Sequence, residues 1–306
     1  MNIKQSLYST VFKVTTLIQS DQIYLGAILP YDALKIGGDM LVVEACKSKK
    51  LIFTVTAGRT GTTYLTKLLQ GVQGVTSLHE PAPDFVKVMR LSQTHPNTAM
   101  NFLCAIKLPH ILQCQTPVYA ETSHLFCKGF LEPMINLGLR PHLIFLRRSP
   151  QDVARSFFER GSIPTRTTRG IKYLLDPRDP NVMPTPNWEL FDDYQMCFWY
   201  ALEIERRQQF YRQMAQDIGL TIFDVTAKEL NQWEVFAQML TCFDLPITEG
   251  LKQHHGEVSS VLHNLNNNKV DEIWGVRELE EKVFSEISPF HPTLRICINK
   301  RYGGNS

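Results

Sequence analysis

The sequence predicts an α/β fold, a three-layer α/β/α sandwich around a central parallel sheet of four to five strands. Two features carry that expectation. Leu51 to Thr56 is a short apolar, β-branched run, long enough for one buried parallel strand, and it empties into a glycine-containing loop and a helix start. Further runs of strand length lie at Pro117 to Glu121, His142 to Leu146 and Leu220 to Val225, the last two running directly into helical patterns. Strands that alternate with helices stack in parallel, joined by right-handed crossovers.

The 306 residues suit a single large domain, divided into an N-terminal cap (1–50), a core (51–245) with a lid over 160–188, and a C-terminal extension (246–306). An apolar content of 43% can fill a substantial core. The net charge of +2 implies no broad basic field, so nucleic acid is not expected as a partner. The 7 cysteines are scattered, with no paired spacing for a disulfide framework or a zinc knuckle, and a reducing cytoplasm is the simplest setting. No run of eighteen apolar residues suggests a membrane span. Asp21 and Gln22 interrupt the only mildly apolar N-terminal segment, so no signal peptide is expected.

The elements follow in order. Asp32 to Ala45 reads as a short capping helix broken at Gly37-Gly38. After the first strand, Gly58-Arg59-Thr60-Gly61-Thr62-Thr63 leads into a helix with Tyr64, Leu65, Leu68 and Leu69 at helical spacing. Such a loop makes an anion cradle: glycines allow the turn, backbone N–H groups point inward, and the helix terminus adds partial positive charge. The threonines add hydroxyl donors, and Arg59 adds a charged, planar fork. The nucleotide triphosphatase loop places Lys directly after its second glycine; Thr62 stands there instead, which argues against ATP or GTP hydrolysis.

Pro81 biases Glu80 toward an extended conformation at a strand end, returning near the cradle; His79 reads as a packing or hydrogen-bonding neighbour. A helix is expected from Phe85 to Leu91, then an apolar patch from Asn101 to Ile111, with His95 and His110 as surface or core histidines. The strand at Pro117 runs into Thr122-Ser123-His124-Leu125, and the strand at His142 into Arg147-Arg148-Ser149-Pro150. Ser149 is placed as a helix cap with Pro150 in the first turn, and Val153, Ala154, Phe157 and Phe158 as the buried face. Arg160 to Trp188 carries five prolines between Pro164 and Pro186 and no clear periodicity, the mark of a functional loop. Leu190 to Met214 is a long helix, Ala227 starts another, and Trp233 to Phe243 is a third. His254-His255 and Asn264 to Asn268 read as loop, Glu278 to Phe284 as helix, and Asn299 to Gly304 as a basic, glycine-containing tail.

Arg59-Thr60-Gly61-Thr62-Thr63-Tyr64 resembles the phosphosulfate-binding loop of the sulfotransferases that use 3′-phosphoadenylyl sulfate (PAPS). Arg148 and Ser156, eight apart, resemble that family's clamp for the nucleotide 3′-phosphate, and Thr122 to Leu125 resembles its Thr-His-Leu strand end, with Ser123 inserted and Glu121 where a Lys is usual. The resemblance spans about residues 51 to 245. It implies a fold like that of P-loop nucleoside triphosphate hydrolases and transfer of a sulfuryl group to a hydroxyl on a small-molecule, lipid or glycan acceptor, without a metal. Gly58, Arg59, Thr60, Gly61, Thr62, Thr63, Tyr64, Arg148 and Ser156 would bind the nucleotide. Arg59 would stabilise developing charge, and Glu80 or His124, ranked in that order, would take the acceptor proton, a role typically worth ~10²–10⁴ in rate. Arg166, Arg169, Lys172 and Arg178 in the lid would face an acidic or phosphorylated acceptor. A P-loop kinase or nucleotidase, or a nucleotide-binding module without a working base, remain as alternatives.

Overall fold

The computed structural model describes residues 36–262 and 275–302. Five strands, β1 (Lys50–Val55), β2 (Val75–His79), β3 (Val118–Thr122), β4 (His142–Arg147) and β5 (Ile222–Thr226), form one sheet in the order β2-β3-β1-β4-β5. Every pairing is parallel. The expected α/β sandwich is borne out, with the upper strand count and with the glycine loop leaving the central strand.

The three central strands are buried along most of their length, and their alternate residues point to opposite faces of the sheet. Phe53 and Val55 of β1 and Phe145 of β4 join one core with Tyr119, Phe126, Phe198 and Trp199. Ile52, Ile144 and Leu146 join the other, with Leu65, Leu68, Leu69, Phe236 and Met239. Phe53 stacks on Phe126 at a centroid separation of 4.2 Å.

The helix Asp193–Asp217 is the main buttress of the first core. Asp192 caps it in a reciprocal capping box with Gln195. Phe198, Trp199, Tyr200, Leu202 and Ile204 are all buried, so the helix lies inside the molecule rather than on its surface. Two of its polar side chains reach the end of β1: Gln208 Nε2 donates to the Val55 carbonyl at 2.8 Å, and the Tyr200 hydroxyl donates to the Ala57 carbonyl at 2.8 Å. The helix Pro150–Glu159 begins as expected, with Ser149 accepting from the Asp152 N–H.

Several expectations change. Ile36–Cys46 is one continuous helix through Gly37-Gly38; residues 32–35 lie outside the described residues, as do Asn264 to Asn268 and Gly303-Gly304. His254 and His255 lie in the helix Leu251–Leu262 rather than a loop. The polar pair misled because His255 packs as an aromatic: its ring stacks on Phe236 at 5.3 Å, and its Nε2 bonds the Leu230 carbonyl. The lid contains a short helix, Thr168–Tyr173, capped by Thr167, and Asn299 to Tyr302 belong to the helix Leu294–Tyr302. Among the described residues, no helix is long and apolar enough to cross a membrane.

Gly61 has a φ of 101°, and a Cβ there would lie 2.7 Å from the Ala227 Cβ. Backbone strain of this kind costs about 1–3 kcal/mol. G61A is therefore expected to lower Tm by several degrees, at about 2–4 °C per kcal/mol. Adding A227G relieves the clash but not the φ strain, so calorimetry should show partial recovery. An unchanged Tm for G61A would contradict this account of the loop.

Candidate active site

The loop after β1 is fixed from below before it meets any ligand. Thr56 Oγ1 donates to the Leu146 carbonyl at 2.8 Å and lies 2.5 Å from Thr60 Oγ1, so Thr60 is buried and its hydroxyl is engaged. Gly58 has a φ of 83°, and a Cβ there would come within 3.1 Å of the His124 ring. The glycine thus lets the imidazole lie against the loop. Arg59 follows with a φ of 58°, a left-handed conformation uncommon for a residue with a side chain. Gly61 then starts the helix Thr62–Gln70, and no side chain caps it. The first N–H groups of a helix have no partner within the helix, so those of Thr62, Thr63 and Tyr64 are open to an anion.

Charge gathers at the same place. The Arg59 Nε donates to Ser156 Oγ at 2.9 Å, and Arg148 Nη1 donates to the Arg59 carbonyl at 2.8 Å. The loop and the distant Arg148–Ser156 pair are therefore in direct contact. Burial, together with the nearby guanidinium groups of Arg160 and Arg148, pushes Arg59 below its usual value. Among the described residues no carboxylate forms an ion pair with Arg59. Arg147, the neighbour of Arg148, faces the other way and pairs with Asp224 and Glu229. Tyr64 is buried, with its hydroxyl 2.8 Å from Ser259 Oγ, so its side chain serves the second core.

A cleft of about 690 Å³ opens over the loop, walled by Gly58, Arg59, Gly61 and the first helical residues on one side, and by His79, Glu80 and His124 on the other. Glu80 follows edge strand β2 and takes a φ of 45° rather than the extended conformation expected before Pro81, which makes it a second strained residue at the site. Its Oε1 lies 2.5 Å from His124 Nδ1 and also accepts from the His124 backbone N–H at 3.4 Å. Burial opposes the charge on Glu80, but hydrogen bonding from His124 and the fields of His124 and His79 outweigh it and hold the carboxyl down at about 2. For His124, burial comes first and Lys128 adds to it, so the imidazole is held below its usual range despite the pull of Glu80. The pair is thus a carboxylate accepting from the Nδ1–H of a neutral ring. That tautomer leaves Nε2 with a lone pair, and the ring lines the cleft. His79 is a hydrogen-bonding neighbour, its Nδ1 2.9 Å from the Thr122 carbonyl.

The four basic lid residues separate. Arg166 pairs with Asp193 and Arg178 with Asp176, Lys172 lies over the Tyr173 ring, and Arg169 lines the cleft. Arg160, Ser162, Tyr173 and Leu174 line it as well. None of these four was legible in the sequence as a site residue, because they lie at a helix end and in a loop with no periodicity. Among the described residues, no three His, Cys, Asp or Glu side chains gather at metal-binding distance.

The Glu80–His124 arrangement has a signature in stability. A carboxyl depressed from 4.5 to about 2 adds stability above pH 4.5, and this is lost as pH falls through the folded value. E80Q is expected to cost about 2–3 kcal/mol at pH 7. In urea titrations the gap to the wild type should close between pH 4.5 and 2; a gap that does not change with pH would refute the ionised pair.

No protein-family model matches the chain, and no curated protein does either. Among the solved structures that the chain is similar to are the following two. The sulfotransferase domain from the curacin biosynthetic pathway is 15% identical, with 84% of this chain and 98% of that one covered and a TM-score of 0.48. Mouse sulfotransferase SULT7A1, complexed with PAP, is 12% identical, with 85% and 94% covered and a TM-score of 0.44. Both of these solved structures are sulfotransferases.

Proposed function

We propose that the protein is a sulfotransferase that moves a sulfuryl group from PAPS to a hydroxyl acceptor, without a metal. The observation that supports this most is the contact of Arg59 with both Arg148 and Ser156 beside an uncapped helix terminus. That donor set suits a ligand with two anionic groups. Loop amides and Arg59 take one of them, and Arg148 with Ser156 takes the other. When bound, PAPS supplies the sulfuryl group and carries the leaving phosphate.

Glu80 and His124 act as one unit in this reading. Glu80 holds the Nδ1–H and orients the ring, and His124 Nε2 takes the acceptor's hydroxyl proton as the new S–O bond forms. Arg59 and the loop amides offset charge developing on the leaving side. The acceptor is a small molecule, a lipid or a glycan. Arg169 on the cleft wall favours one that carries an anionic group. The cysteines of the described chain are free, which suits a reducing compartment such as the cytoplasm.

Calorimetric titration separates this reading from a kinase or nucleotidase. Adenosine 3′,5′-bisphosphate should bind at least about tenfold more tightly than ADP, with or without a chelator, and R148A should erase most of that preference. Equal affinity for the two nucleotides sinks the assignment. H124A and E80Q should each lower sulfuryl transfer by about tenfold or more. Full activity in both variants would remove the pair from the chemistry.

A further inference from the structure

Lys128 is an unexpected residue at its position. Its side chain has no exposed surface, and among the described residues no carboxylate forms an ion pair with it. A buried, unpaired ammonium is costly, and an apolar side chain would fill the same space at less cost. It lies four residues beyond His124, in the turn that leaves β3. Its Nζ donates to the Tyr173 carbonyl at 2.5 Å and lies 4.9 Å from the centroid of the Tyr200 ring.

Both partners belong to the site. Tyr173 ends the lid helix Thr168–Tyr173, lines the cleft, and places its ring 6.3 Å from that of His124. Tyr200 is the side chain whose hydroxyl holds the Ala57 carbonyl at the root of the anion loop. A second cation, Arg90, holds the same lid segment through the Ile171 and Leu174 carbonyls, but its charge is paired with Asp179. Of the two, only Lys128 also shares a turn with His124.

We propose that Lys128 is a positioning residue: one buried cation ties the lid to the turn that carries His124, so that the lid over the cleft and the base beneath it are held in register. This rests on the reading of Glu80 and His124 as the proton-accepting pair.

The electrostatics agree with the geometry. Lys128 faces Cys127 in its own turn, Glu80 beyond β2, Arg207 in the helix Asp193–Asp217 and Arg90 in the helix Val86–Thr94. Burial dominates and pushes the ammonium down to about 7, with Arg207 and Arg90 adding to the fall and Cys127 and Glu80 opposing it. His124 faces Lys128, Glu80 and His79, and the Lys128 charge helps to keep its ring neutral. Removing that charge must let the imidazole protonate at higher pH. Deprotonating Lys128 weakens a charge-assisted bond to the lid.

The test compares K128Q, which is neutral, with K128R, which keeps the charge. In K128Q the His124 ring, followed by NMR, should titrate roughly half a pH unit or more above wild type. Hydrogen exchange at the Ile171 and Leu174 amides should quicken about tenfold. The acid limb of sulfuryl transfer should move up with the ring, and the acceptor KM should rise more than kcat falls. K128R should restore the His124 midpoint. If K128Q leaves the His124 titration and the lid exchange at their wild-type values, the proposal is wrong. Neither of those two readouts needs turnover, so they stand even if no sulfuryl transfer is found. Should K128Q not fold, wild-type protein decides: lid exchange, corrected for intrinsic rate, should quicken between pH 6 and 9, and a flat profile overturns the proposal.

Discussion

The structure depends on how the end of β1 is held. A strand that turns sharply into a helix leaves backbone carbonyls without ladder partners, and a buried carbonyl must find a donor. Gln208 and Tyr200 meet that need at Val55 and Ala57. Both come from a helix buried along most of its length, so the loop inherits the rigidity of the core. Cys127 Sγ adds a weaker contact to the Thr56 carbonyl, which links the loop to the turn after β3. With its base held in this way, the loop can sustain left-handed backbone at Arg59 and keep its amides open.

Two unlike electrostatic environments face each other across the resulting cleft. On one side Arg59 and Arg160 line the wall; Arg59 donates to Ser156 Oγ and accepts through its carbonyl from Arg148, whose own carboxylate partner is Asp152 at 3.9 Å. On the other side Glu80 and His124 form a pair in which one partner is ionised and the other neutral. A site with the first environment alone offers donors to an anion and no proton acceptor. The second adds a group that can take a proton within the same cleft.

Beneath the site lies a further buried network. Lys107 pairs with Glu121 at 2.7 Å and donates to the Pro83 carbonyl, and the Tyr119 hydroxyl donates to Glu121 at 2.6 Å. It anchors the segment just after Glu80 to the floor of the sheet. The cation that pairs with Glu121 comes from a helical segment between β2 and β3, far from it in sequence.

The parallel sheet and the glycine turn from β1 into its helix were legible in the sequence. Short apolar runs have few alternatives once helices separate them, and the glycines at 58 and 61 announce a turn whose φ values only they tolerate easily. The Ser149 cap and the Arg148–Ser156 spacing were legible for the same reason, since both are local. What only the tertiary structure decided is which polar residues meet. Of two adjacent arginines, Arg148 joins the loop while Arg147 pairs with β5, because successive residues at a strand end point to opposite sides. Glu80 and His124, which the sequence offers as competitors, are hydrogen-bonded partners because β2 and β3 are neighbours in the sheet. His255 became a stacked core residue, and Lys128 a buried link from the turn after His124 to the Tyr173 carbonyl. Local pattern fixes backbone conformation, whereas the pairing of side chains far apart in sequence depends on how the layers pack.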